Sequence, residues 1–221
     1  MAIAKVVSVY KSGGSGGGTS SAVDTTGATG IYIGYALYDN PGTVSVSDSK
    51  GNTYTALTQS GGVGSYVRLY YCQNPTVGAS HTFTVTGTAI FVAFGALAVS
   101  GSLTASSFDV ESGGTASSTT VQPGSVTPSQ DNEILVTAVS FNVINTASIN
   151  SSFTLDGQLN YSIGVNIGLG LAFKIQTTAG AENPTWTVGS SCALTTRIAS
   201  FKAAVAGGAR QQTLSMLGVG V

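Results

Sequence analysis

Ile31-Tyr-Ile-Gly-Tyr-Ala-Leu-Tyr38 and Ile134-Leu-Val-Thr-Ala-Val-Ser-Phe141 are the two runs whose reading decides the fold. Both are short, apolar and rich in β-branched or aromatic residues, as strands are. Turn formers break the chain on either side of them. Working outward from the first, Val44-Ser-Val-Ser47 and Thr53-Tyr-Thr-Ala-Leu57 flank a turn at Asp48-Ser-Lys-Gly-Asn52. Tyr66-Val-Arg-Leu-Tyr-Tyr71 and His81-Thr-Phe-Thr-Val-Thr86 alternate, and Ile90 to Val99 reads as a buried strand. No stretch before the tail keeps a 3.6-residue period. The chain is therefore expected to be all-β.

The two opening runs are offset by 103 positions, and Thr82-Phe-Thr-Val85 lies the same 103 positions before Thr185-Trp-Thr-Val188. That offset also lays Val67 to Cys72 on Gly170 to Ile175, and Val92 to Ala98 on Thr195 to Phe201. Lys11-Ser-Gly-Gly14 resembles Glu111-Ser-Gly-Gly114 at offset 100. A shared spacing over several strands points to an internal two-fold repeat, with halves of about 1–101 and 102–206. Two arrangements stay open: a single interleaved jelly-roll-like antiparallel β-sandwich, or two tandem Ig-like sandwiches. The join, Gly101 to Phe108, carries neither Pro nor a run of charge, so the single sandwich is preferred.

Three segments follow. Residues 1–22 form an N-terminal strand and Gly/Ser-rich arm, residues 23–206 the sandwich, and residues 207–221 a C-terminal docking tail. Leu214, Met216 and Leu217 are the tail residues expected to bury themselves on a partner.

Composition narrows the function. Charged residues are 8% of the 221, and the formal net charge is −1. Phosphate binding needs clustered Lys and Arg, so nucleic acid is not an expected partner. A polybasic membrane anchor is excluded on the same ground. Met1 to Tyr10 has no long apolar core of a signal peptide, and Ile90 to Val99 is too short to span a bilayer. Cys72 and Cys192, the only cysteines, lack zinc-ligand spacing and are read as reduced. A surface this poor in charge resists self-association weakly and suits packing against neighbours.

Residues that could carry chemistry are few. His81, the sole histidine, shares a strand face with Phe83 and reads as structural. Asp109 with Glu111, and Asp131 with Glu133, share strand faces, whereas a glycosidase needs carboxyls opposed across a cleft. Asp48 and Asn52 resemble part of a calcium loop without its closing Glu, and read as turn formers. No cofactor, metal site or enzymatic activity is expected. The aromatics could stack on sugars or anchor an interface. Tyr38, Tyr66 and Trp186 are the candidates.

The stretch Val44-Ser-Val-Ser-Asp-Ser-Lys-Gly-Asn-Thr-Tyr-Thr55, then Arg68 to Val85, resembles a β-sandwich module of phage virion proteins and bacterial surface proteins. The likeness continues through Val99-Ser-Gly101, Phe108-Asp109 and Asn132-Glu-Ile-Leu135. It implies a fold and a setting, with no catalytic residues to transfer. A short copy with a Gly-rich arm and an apolar tail looks most like a bacteriophage structural protein: a capsid decoration protein or a head- or tail-fibre component. The resemblance implies a virion location, with other virion proteins and further copies of the chain as partners. The alternative is a carbohydrate-binding or adhesin module using loop-end aromatics.

Overall fold

The computed structural model describes residues 2–14, 16–38, 43–62, 64–88 and 91–204. Leu214, Met216 and Leu217 lie outside them. The described residues are strands and loops. In chain order the strands are β1 (Ala4–Gly13), β2 (Gly17–Thr19), β3 (Gly30–Leu37), β4 (Val44–Asp48), β5 (Thr55–Ala56), β6 (Ser60–Gly62), β7 (Ser65–Gln73), β8 (Phe83–Gly87), β9 (Val92–Ser100), β10 (Phe108–Val121), β11 (Ile134–Phe141), β12 (Ala147–Ile149), β13 (Thr154–Tyr161), β14 (Ile167–Ile175) and β15 (Trp186–Phe201).

They form two large antiparallel sheets. The first runs β1-β9-β3-β7-β5, with β6 also on β7; the second runs β10-β15-β11-β14-β13, with β12 also on β15. No strand of one half pairs into the large sheet of the other, so the halves do not interleave as expected. They pack face to face instead, as the two layers of the all-β antiparallel β-sandwich that the sequence leads one to expect. Tyr32, Ala36, Val67, Leu69 and Leu97 of the first sheet share a core with Ile134, Val136, Leu169, Leu171 and Phe201 of the second.

Each large sheet also has a covered outer face. In the first half, a small sheet β2-β8-β4 closes over Ile31, Ile33, Tyr35 and Phe94, with Phe83 and Val85 pointing in. In the second, the far ends of β10 and β15 bend over with β12 and bring Val121, Trp186 and Val188 onto Leu135, Val139 and Phe141. The result is two sandwiches back to back across a common core. This explains why β3 and β11 are buried along their whole length. Burying each large apolar side chain on either face contributes about 1.5–3 kcal/mol.

The two halves share one strand order, and the offset of 103 sets Phe83 and Val85 on Trp186 and Val188, all facing an outer core, but it inverts the faces of the long strands. Ile31 faces the outer core of its half, whereas Ile134 faces the shared core. Successive strand residues point to opposite faces, so a shift of one inverts the strand. Matching faces and ladders sets Ile31 against Leu135, Leu69 against Leu171 and Val99 against Phe201. The likeness of Lys11 to Glu111 fails for the same reason. Lys11 lies opposite Phe94, while Glu111 lies opposite Ala199 and turns toward the other half.

The N-terminal segment, read as a strand and a Gly/Ser-rich arm, is woven into its own half. β1 pairs along β9, and β2 pairs with β8. Gly17 makes the crossing between the two sheets possible. Its φ is +99°, and a Cβ there would sit 2.0 Å from the Val85 carbonyl oxygen. The join between halves is also held: Leu103 N–H donates to the Lys202 carbonyl at 2.8 Å, and Ser107 N–H to Gln73 Oε1 at 2.9 Å.

Gly34 on β3 faces the second large sheet across the shared core. A Cβ there would lie 3.0 Å from Leu171 Cδ1 and 3.2 Å from Ala138 Cβ. Gly34→Leu should therefore part the sheets and cost about 1–3 kcal/mol by overpacking. Urea unfolding read by tryptophan fluorescence would measure it, and an unchanged midpoint would contradict the packing described.

Candidate functional site

Polar side chains gather at two places inside the fold, one in each half. The first is built on the turn after β4. Asp48 Oδ1 accepts from the backbone N–H groups of Lys50 (2.9 Å) and Asn52 (3.1 Å), the Asx arrangement that shapes such turns. Gly51 supplies the positive φ, +75°. Oδ2 accepts from the Asn52 amide at 2.8 Å and the Tyr54 hydroxyl at 2.6 Å. His81 Nε2 lies 3.0 Å from the same oxygen, bent away from good hydrogen-bond geometry. Both side chains are wholly buried.

Behind the imidazole, Nδ1 meets Thr25 Oγ1 at 2.8 Å. Thr25, His81 and Asp48 thus follow the order of a nucleophile, base and orienting acid. The geometry does not serve that chemistry. Thr25 is buried, and its hydroxyl also accepts from the Gly78 N–H at 3.1 Å. The ring stacks on Phe83 with centroids 4.5 Å apart. Burial works against the Asp48 charge, but Tyr54, Asn52 and His81 outweigh it and hold the pKa at about 2. The carboxylate is filled by protein donors, in keeping with a turn former. The group ties β4, the start of β8 and the chain around Thr25 together.

The second gathering lies at the base of the second half. The carboxylates read from the sequence as same-strand pairs part company there. Glu111 reaches Arg197 Nη2 at 2.5 Å and accepts from the Thr58 hydroxyl at 2.7 Å, joining the halves. Asp131 accepts from the Ala179 N–H at 2.7 Å. Asp109 pairs with Lys202 at 3.1 Å. Glu133 is buried among Asp109, Ser200 and Gln130. Sequence reasoning missed the meeting of Asp109 with Glu133. Asp109 lies on β10 and Glu133 just ahead of β11, and no local spacing signals their meeting.

The expected aromatic platform is not formed. Trp186 is wholly buried, its Nε1 donating to Thr137 Oγ1 at 3.1 Å, so it cannot stack on a sugar. The reason is positional: Trp186 takes the inward place that Phe83 holds in the first half. Tyr38 and Tyr66 are half-buried and pack into different cores. None of the tyrosines or phenylalanines is exposed. Cys72 and Cys192 are both free thiols. A cleft of about 430 Å³ between the halves is lined by Gly62, Thr115, Ser117, Asn142, Leu194 and Thr195, with no acid, base or thiol among its walls.

Large exposed apolar side chains mark the surface instead. Ile163 is 73% exposed and Ile144 49%. Their loops lie at one end of the second half, joined by Asn145 N–H to Asn160 Oδ1 (3.3 Å) and by the Asn160 amide to the Asn145 carbonyl (2.9 Å). No protein-family model, curated protein or solved structure matches the chain.

Asp48 gives a pH test with a definite sign. Its folded pKa lies below its unfolded value, so its stabilisation is full above about pH 4 and drains as pH falls toward 2. Asp48→Asn should lose about 1–3 kcal/mol at neutral pH, because buried donors are left unmet. The gap between the variant and the parent should narrow through acid and close only below about pH 2, as the folded carboxylate takes up its proton. Equal thermal midpoints at pH 7 would show that the group contributes nothing.

Proposed function

We propose that the chain is a non-enzymatic structural component of a bacteriophage virion, a capsid decoration or head- or tail-fibre-associated protein that packs against neighbouring subunits. The observation that carries this reading is the contrast between interior and surface. Residues suited to catalysis, Thr25, His81 and Asp48 above all, are sealed inside and used as fasteners. The outside presents uncharged polar residues, with isoleucines at one end. Such a body favours close packing, since little charge must be desolvated when two copies meet. The sequence resemblance to virion sandwich modules supplies the setting. The tail, with Leu214, Met216 and Leu217, is assigned the docking role.

The carbohydrate-binding alternative needs a ring presented to solvent. The burial of Trp186 removes its strongest candidate.

Deleting residues 207–221 tests the reading. The shortened chain should unfold at the same temperature as the full one and fail to join assemblies seen by negative-stain microscopy or light scattering. A full-length chain that stays monomeric at high concentration and joins no particle would overturn the proposal. So would a shortened chain that assembles normally.

A further inference from the structure

At the base of the second half Asp109 lies between two neighbours from adjoining strand ends, paired with Lys202 and beside Glu133. Asp109 lies near the start of β10, Lys202 follows β15 and Glu133 precedes β11. The ladders set both Phe108 and Ile134 opposite Phe201, which brings these ends side by side. Lys202 Nζ is 3.1 Å from Asp109 Oδ1. The Ser129 N–H donates to Asp109 Oδ2 at 2.6 Å, and the Ser129 hydroxyl to Oδ1 at 2.8 Å. Glu133 is wholly buried; its Oε1 accepts from the Gln130 N–H at 3.2 Å, and its Oε2 has no hydrogen-bond partner.

Burial drives the Glu133 pKa up, and the Asp109 charge adds to this against the opposing pull of Ser200. Asp109 moves the other way: burial is outweighed by Ser129 and Lys202, which hold its pKa down. Burial thus favours the protonated form of Glu133, which can give a proton, while Asp109 rests as the carboxylate of its ion pair with Lys202. The other ion pairs among the described residues differ. Lys5 with Asp156, Lys174 with Glu182 and Arg197 with Glu111 have no second acid beside them with a buried, unpartnered oxygen.

We propose that Lys202 and Asp109 become joined by an amide bond between Nζ and Cγ, formed inside the folded chain with Glu133 as proton carrier. A proton first passes from the Lys202 ammonium to the Asp109 carboxylate, leaving a neutral amine beside a carboxylic acid. The Nζ lone pair then attacks Cγ. The Ser129 N–H steadies the oxyanion that develops, as a preorganised donor does in acyl transfer. Glu133 gives its proton to the departing hydroxyl and recovers one from the nitrogen. One water leaves, one amide forms, and Glu133 ends as it began. No oxidant, reductant or co-reactant is needed. Holding amine and carboxyl in one place supplies the effective concentration such a condensation requires. The proposal does not rest on the virion reading.

The test is the mass of the purified full-length chain under denaturing conditions. The expected value is one water below the sum of its residues. Trypsin should then fail to cut after Lys202, and the peptide bearing Lys202 should run joined to the peptide bearing Asp109. Glu133→Gln should restore the full mass while the chain still folds by circular dichroism, and Lys202→Arg should do the same. A parent chain of full mass, with the two peptides separate, overturns the proposal. Loss of one water with the two peptides separate also overturns it, since that marks an internal imide, as Asp156-Gly157 could form.

Discussion

The apolar layer between the two large sheets is the constraint on which the rest of the structure depends. β3 faces β11 across it, and each of these strands also has a small sheet or bent strand ends on its other side. A strand covered twice can carry almost no polar side chain, and β3 carries only the hydroxyls of Tyr32 and Tyr35. Both are used: Tyr32 meets Ser102 Oγ at 2.7 Å, and Tyr35 donates to Gln59 at 3.2 Å. Polar groups that do enter the shared layer are paired across it. Ser65 donates to Ser140 at 2.9 Å, and Thr195 donates to the Ser65 carbonyl at 2.9 Å. Unpaired, each would cost about 1–3 kcal/mol. Paired between halves, they favour one alignment of the sheets over its neighbours.

That double burial also decides how much the sequence could reveal. The strands themselves are legible because β-branched and aromatic runs bounded by turn residues have few other uses. The all-β class follows from them. The phase of β11 against β3 was not legible. An amphipathic strand announces its inward face by alternation, whereas Ile31 to Leu37 and Ile134 to Phe141 are apolar on both sides. A match one residue out of phase therefore scores as well as the true one. The same blindness hid the back-to-back arrangement. A join without charge or Pro suggested one sandwich, and what it reflected was a connection pinned to both halves through Leu103 and Ser107.

The candidate sites divide along a similar line. Asp48 was legible as a turn former, because the backbone N–H groups it accepts from lie only two and four residues along the chain. His81 was legible as structural from its place beside Phe83 on an alternating strand. Trp186 was misread, because an aromatic near a loop end looks the same whether its strand turns it in or out. The meeting of Asp109, Glu133 and Lys202 spans three strands far apart in sequence, and only the ladder register brings it about.

The scarcity of charge has a further consequence once the partners are known. Asp48 and Glu133 are buried, and Asp109, Glu111, Asp156 and Glu182 are each tied to a Lys or Arg of the same chain. Glu111 joins the halves through Thr58, and Asp156 does so through Lys5 and Tyr10. The acids are thus spent largely on holding the fold together. What remains outside is more neutral than the composition suggests. A neutral exterior lacks the long-range repulsion that keeps most proteins apart. Contact between copies, or with another neutral surface, then turns on shape and on hydrogen bonding by serine, threonine and backbone groups. A protein that must lie against its neighbours gains directly, because no charge has to be stripped of water when the contact forms.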